Sequence, residues 1–89
     1  MKIKLELFGA SREFSDNDHL EIEVQDKASV DDLRNEIIKY LDKNFKGNES
    51  FIKVVKSSAF CSENNEIISD NYKITKEQKI GIIPPIGGG

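Results

Sequence analysis

The residues with the clearest chemistry stand at the carboxyl end, in the run Ile83-Pro84-Pro85-Ile86-Gly87-Gly88-Gly89. A terminal carboxylate is a poor electrophile, so to react with a nucleophile the Gly89 carboxylate must first be activated, for instance as an acyl-adenylate made with ATP. That requires the tail to enter another protein's active site. Glycine has no Cβ and tolerates unusual backbone angles, so Gly87, Gly88 and Gly89 suit a channel too narrow for ordinary side chains. Pro84 and Pro85 do the complementary job: they supply no backbone donors, end a strand, and hold a stiff polyproline-like step. Extended, residues 84–89 reach roughly 20 Å. Once activated, Gly89 would offer its carbonyl carbon to a nucleophile, so its chemistry is that of a covalent attachment point and not of a general acid or base.

Other reactive residue types are sparse. Cys61 invites a redox or sulfur-relay reading, but a lone cysteine in a strand is most often a small buried apolar residue. His19 beside Asp16 and Asp18 suggests hydration more than a coordination shell, since no second cluster completes one, and no metal site is expected. Arg12 and Glu13 read on their own as solvated loop.

With 89 residues there is room for one domain and one modest core. A net charge of -3, from 13 basic and 16 acidic residues scattered along the chain, offers no basic stripe for phosphates and disfavours nucleic acid. The single cysteine forms no internal disulfide, and no apolar run reaches membrane-spanning length, so no membrane partner is expected. The absence of a signal-peptide pattern at Met1 predicts a cytoplasmic location.

The elements that must position the tail follow from hydrophobic periodicity. In KIKLELF, Ile3, Leu5 and Leu7 alternate with Lys4 and Glu6, the period of a half-buried strand. HLEIEV repeats the pattern with Leu20, Ile22 and Val24, predicting a hairpin across GASREFSDND. SVDDLRNEIIKYLDK places Val30, Leu33, Ile37, Tyr40 and Leu41 at helical spacing, with Ser29 as N-cap and Asp31 and Asp32 in the first turn. NFKGNES reads as a loop, VVKSSAFC as a further strand, ENNEII as a turn and very short strand, SDNYKIT as irregular, and QKIGII as the last strand. The order predicts an α+β domain of ubiquitin-like β-grasp architecture. A mixed sheet of four to five strands packs on one main helix over residues 1–83, followed by an extended tail over 84–89. By parity Phe8 and Ile83 fall on the face opposite the helix, at the root of the tail, where Phe60 and Ile67 are expected to join them as partner contacts.

Taken with this element order, LFGASRE after the first strand, SDNYKI before the last and the terminal IIPPIGGG resemble the small, sulfur-carrying subunit of molybdopterin synthase, across essentially the whole chain. The Pro-Pro pair is the most specific element; thiazole-pathway sulfur carriers and ubiquitin-like modifiers share a bare Gly-Gly ending. The resemblance implies a cycle in which a ubiquitin-activating-type enzyme adenylates Gly89 and a sulfur donor protein displaces AMP. The resulting thiocarboxylate then acts within the large synthase subunit on a cyclic pterin precursor, beginning the dithiolene of the molybdenum cofactor. It also implies a docking role for Arg12, no cofactor bound by the carrier, ATP consumed by the activating partner, and no activity of the carrier alone. The family commonly has an aromatic where Ile83 stands. A thiazole-pathway carrier, a protein-conjugating modifier and a non-reactive β-grasp interaction module are the alternatives. The sulfur donor, the choice of molybdenum or tungsten and the stoichiometry of the complex are not legible in the sequence.

Overall fold

In a computed structural model of the chain, residues 1–85 are described. Strand β1 (Lys2–Leu7) runs antiparallel to β2 (His19–Glu23), with Ile3 opposite Ile22 and Leu5 opposite Leu20. Their alternation buries Ile3, Leu5, Leu7, Leu20 and Ile22 on one face and leaves Lys4, Glu21 and Glu23 on the other. The hairpin connection is not slack. It forms a 3-10 turn over Gly9–Phe14, entered through Gly9 at φ +56°, a left-handed angle that favours glycine. The buried Ser11 hydroxyl fastens the turn by donating to the Phe8 carbonyl at 2.6 Å and accepting from the Phe8 N–H at 3.0 Å.

Helix α1 (Val30–Asn44) starts where its chemistry predicts. Ser29 Oγ accepts from the Asp32 N–H at 3.1 Å, and the Asp32 carboxylate accepts from the Ser29 N–H at 2.9 Å, a reciprocal capping box. Its Val30, Leu33, Ile37 and Leu41 are fully buried against the sheet. At about 1.5–3 kcal/mol for each large aliphatic side chain, this stripe is a main source of stability.

A second helix, α2 (Glu49–Ser57), corrects the sequence expectation. VVKSSAFC was expected as one strand, yet Val54 and Val55 are helical and only Ala59–Cys61 forms strand β3. Asn48 begins the helix by accepting the Phe51 N–H on its side chain at 3.1 Å. Three aromatics, from the 3-10 turn, the loop and α2, then meet: Phe14 and Phe45 each lie 5.1 Å from Phe51 between ring centroids. This packing outweighs the β-propensity of two valines. Tyr40 closes the cluster, donating its hydroxyl to the Phe14 carbonyl at 3.0 Å. Burial first, then the Asp16 charge, raises the Tyr40 phenol above its ordinary pKa.

Arg34 ties the two helices together. Its guanidinium donates to the carbonyls of Val55 at 2.6 Å and Ser58 at 2.9 Å, satisfying acceptors at the end of α2. It also pairs with Asp70 at 2.6 Å and lies 4.9 Å over the Phe60 ring. Strands β4 (Ile67–Ile68) and β5 (Lys79–Ile83) complete a five-stranded sheet in the order β2-β1-β5-β3-β4. β5 is parallel to β1 and antiparallel to β3, so the strand leading into the tail lies at the centre of the sheet. The architecture is a mixed, ubiquitin-like β-grasp sheet packed on one main helix, with α2 as an addition.

Candidate functional site at the root of the tail

β5 delivers the chain to Pro84 and Pro85 from a central, doubly paired strand, so the base of the tail is anchored on both sides. Pro84 is half-buried and Pro85 exposed. A β-carbon built on Gly9 would lie 3.9 Å from the Pro84 ring, so the 3-10 turn abuts the first proline in ordinary van der Waals contact. On the other side, Ala10, Lys53, Val54 and Ser57 join both prolines around a groove of about 240 Å³. Ile86, Gly87, Gly88 and Gly89, including the expected carrier site, lie outside the described residues.

Next to this root the open sheet face is apolar. Ile80 and Ile82 point into the core, so Gly81 and Ile83 address the other face. A β-carbon on Gly81 would meet Phe8 Cε2 at 2.9 Å and Cys61 Sγ at 2.8 Å, which places the Phe8 ring and the buried Cys61 thiol directly over that glycine. Ile83 is half-buried opposite Ala59. Ile67, opposite Cys61, is 67% exposed and extends the patch toward β4.

Phe60 does not belong to this patch, contrary to the sequence expectation. It pairs with Ile82 and Ile68 and is 1% exposed, beneath Arg34 on the helix side. Parity along a three-residue strand depends on its register with β5, which the sequence does not reveal. Gly81 and the α2 wall of the groove were missed altogether. A glycine inside an isoleucine-rich strand was the available signal for the first, since it often marks a close approach.

Arg12 and Glu13 are exposed on the 3-10 turn that follows Phe8. His19 Nδ1 lies 3.1 Å from Asp18 Oδ1, and this hydrogen bond is the main reason the Asp18 carboxyl is held below its ordinary pKa. Asp16 adds no ligand there: among the described residues no group of three or more His, Cys, Asp or Glu is placed to hold a metal ion. No helix among them is long and apolar enough to cross a membrane. The arrangement is a rigid platform with an apolar face, set beside a stiff exit for the chain.

Comparison with known proteins agrees with that arrangement. A candidate molybdopterin converting factor, subunit 1, from Pyrococcus furiosus is 26% identical, with a TM-score of 0.69 over 96% of this chain and 98% of that one. SAMP1 from Haloferax volcanii has the same fold at 16% identity, with a TM-score of 0.68 over 100% of both chains. A second structure of the H. volcanii small archaeal modifier protein 1 gives a TM-score of 0.67 at 14% identity, covering 96% of this chain and 98% of that one. A comparison with curated protein sequences finds no match. The ThiS family model matches residues 5–89, nearly the whole sequence and the entire tail, and the chain therefore belongs to the ThiS family of ubiquitin-like β-grasp sulfur carriers.

Proposed function

We propose that this chain is the sulfur-carrying small subunit of a molybdopterin synthase, acting in the cytoplasm. The observation that carries the reading is its likeness, over almost the full length of both chains, to the P. furiosus protein described as a molybdopterin converting factor subunit. The Pro84-Pro85 step leading to a glycine terminus supports it.

In the cycle, a Gly89 carboxylate oxygen attacks the α-phosphorus of ATP in a ubiquitin-activating-type partner, and pyrophosphate leaves. A hydrosulfide equivalent from a donor protein attacks the acyl carbon. AMP departs with the former carboxylate oxygen, leaving a thiocarboxylate. Inside the large subunit the thiocarboxylate sulfur attacks a carbon of the cyclic pterin precursor, the oxygen substituent on that carbon leaves, and water then cleaves the acyl–sulfur bond, which leaves the sulfur on the pterin and restores the carboxylate. Residues 1–83 act as the platform and 84–89 as the inserting tail. Phe8, Ile83 and Ile67 form the docking patch, with Arg12 at its rim. The carrier needs no cofactor of its own; ATP belongs to the activating partner.

The test is to generate the thiocarboxylate with the activating enzyme and sulfur donor, identify it by a mass gain of about 16 units and by alkylation, and supply it to the large subunit with the cyclic precursor. Formation of the dithiolene product supports the proposal. A thiocarboxylate that serves thiazole assembly and not the pterin would reassign the pathway. A ladder of lysine adducts would make the chain a protein modifier, and a chain lacking Gly88 and Gly89 that still supports ATP–pyrophosphate exchange would remove the carrier reading altogether.

A further inference from the structure

The groove between the 3-10 turn and α2 is built around the start of the tail itself. Pro84 and Pro85 belong to its wall, as does Ala10 of the turn. The rest is one stripe of α2, Ser50, Lys53, Val54 and Ser57, at the spacing that puts side chains on a single helix face. Val54 is half-buried and Ala10 exposed, so apolar surface stays open to solvent there. At about 240 Å³ the groove exceeds the roughly 150 Å³ in which a benzene-sized molecule fits, which leaves room for one branched aliphatic side chain.

Its polar groups are few. The Ser57 hydroxyl is spent on its own helix, donating to the Lys53 carbonyl at 2.9 Å. The Lys53 ammonium is different. Among the described residues the ion pairs are made by Met1, His19, Arg34, Lys39 and Lys79, and neither Glu49, one turn earlier on α2, nor Glu13 of the 3-10 turn is paired with Lys53. A cation thus borders an apolar groove beside the root of the tail.

Beyond Pro85 the chain continues for four residues, Ile86-Gly87-Gly88-Gly89, of which Ile86 alone has a large side chain. Ile86 starts from the wall of the groove, and the three glycines after it span roughly 10 Å when extended. The segment therefore offers one aliphatic group for the apolar part and one carboxylate for Lys53. Because it is tethered at the edge of the site, it meets the groove at an effective concentration on the order of millimolar, ahead of any free peptide.

We propose that this groove is a resting dock for the protein's own tail, with the Ile86 side chain against Val54 and Ala10 and the Gly89 carboxylate paired with the Lys53 ammonium. A protein that uses the carboxylate must first draw Ile86 out, so its apparent affinity scales with the undocked fraction. The inference concerns the free protein and holds whatever chemistry the carboxylate undergoes, so it stands or falls separately from the sulfur-carrier reading.

Methyl and amide NMR on the full-length protein tests it. Nuclear Overhauser contacts from the Ile86 methyl groups to those of Val54 and Ala10 are expected, unchanged on dilution. Ile86→Ser should move the amide resonances of Ser50, Val54 and Ser57, which are distant from it in sequence. The ratio of docked to undocked chain, read at the Ala10 methyl, should fall at least tenfold in Ile86→Ser and at least threefold in Lys53→Gln, with the double variant as the undocked reference. Lys53 is exposed and Ile86 follows the last strand, so the β1 and α1 amides should keep their positions in each variant and report an intact fold. Missing contacts, or α2 resonances indifferent to Ile86→Ser, would overturn the proposal. So would an unchanged ratio in Lys53→Gln, or contacts that fade on dilution, which would assign the groove to the tail of a second copy.

Discussion

The Phe8 ring lies across Gly81, so close that a β-carbon on that glycine would stand 2.9 Å from Phe8 Cε2. The first and last strands are thereby joined on the open face as well as through their backbone ladder, immediately before the chain turns out at Pro84. The contact also explains how Gly81 is buried on a face that no helix covers.

Gly81→Ala should destabilise the domain by about 1–3 kcal/mol, because the added methyl must displace either the ring or the Cys61 thiol. Its backbone angle adds no strain, so the effect is steric. Combining it with Phe8→Ala should cost less than the sum of the two single changes, a coupling that urea denaturation midpoints will show. Strict additivity would mean that the ring does not rest on Gly81.

Arg34 is the polar residue on which the helix pair most depends. Arg34→Ala leaves the Val55 and Ser58 carbonyls without their guanidinium donor and uncovers Phe60, and a loss of about 2–4 kcal/mol is expected in chemical denaturation. Arg34→Lys should recover less than half, since an ammonium does not reproduce a planar fork reaching several acceptors. Asp70→Asn should cost less than about 1 kcal/mol, because the Asp70 side chain is 63% exposed and solvent screens the pair.

That network also shows where the sequence stopped being legible. The β1–β2 alternation, the Ser29 cap and the α1 stripe are local patterns, and each can be read without knowing what lies across from it. The helix at Glu49–Ser57 depends on Phe51 finding Phe14, 37 positions earlier by subtraction of the residue numbers, and on Arg34 holding the helix end. Local propensity of Val54 and Val55 points the other way. Asn48 followed by Glu49, with Phe51, Ile52 and Val55 at helical spacing, was the signal that could have found it. Phe8 and Ile83 were assignable by counting from strands whose buried face was already evident. Phe60 was not, because its strand is short and its register is set by distant residues.

The capping box at α1 makes a pH prediction. The Asp32 carboxylate is held below its ordinary pKa of 3.8 first by the Ser29 backbone N–H and then by the Ser29 side chain. A lowered folded-state pKa means that the contribution is fully present above the unfolded value and is lost as pH falls through the folded one. Asp32→Asn should therefore lower the thermal midpoint by a constant amount from pH 7 down to about 5, and the gap to the unaltered protein should close below about pH 4. Thermal unfolding across that range checks it; a gap that widens in acid would show that Asp32 is not a stabilised carboxylate.

Pro84 and Pro85 differ from the other residues of the groove because they begin the tail while still lining the groove at the edge of the platform. Neither donates a backbone hydrogen bond, so replacing both with glycine should barely change folding apart from the loss of Pro84 packing beside Gly9. The exit of the tail is another matter. Glycine enlarges the conformations that each binding event must restrict, at about 1–2 kcal/mol per residue of backbone ordering. Affinity for both partners of the proposed cycle, the activating enzyme and the large subunit, should fall tenfold or more, while the chemical step at saturating partner changes less. Titrating the Pro84→Gly/Pro85→Gly variant against each partner, with single-turnover rates measured at saturation, separates the two effects. Unchanged affinity for both would mean that the prolines end β5 without aiming the tail. A loss confined to the rate would mean instead that they position the carboxylate only after docking is complete.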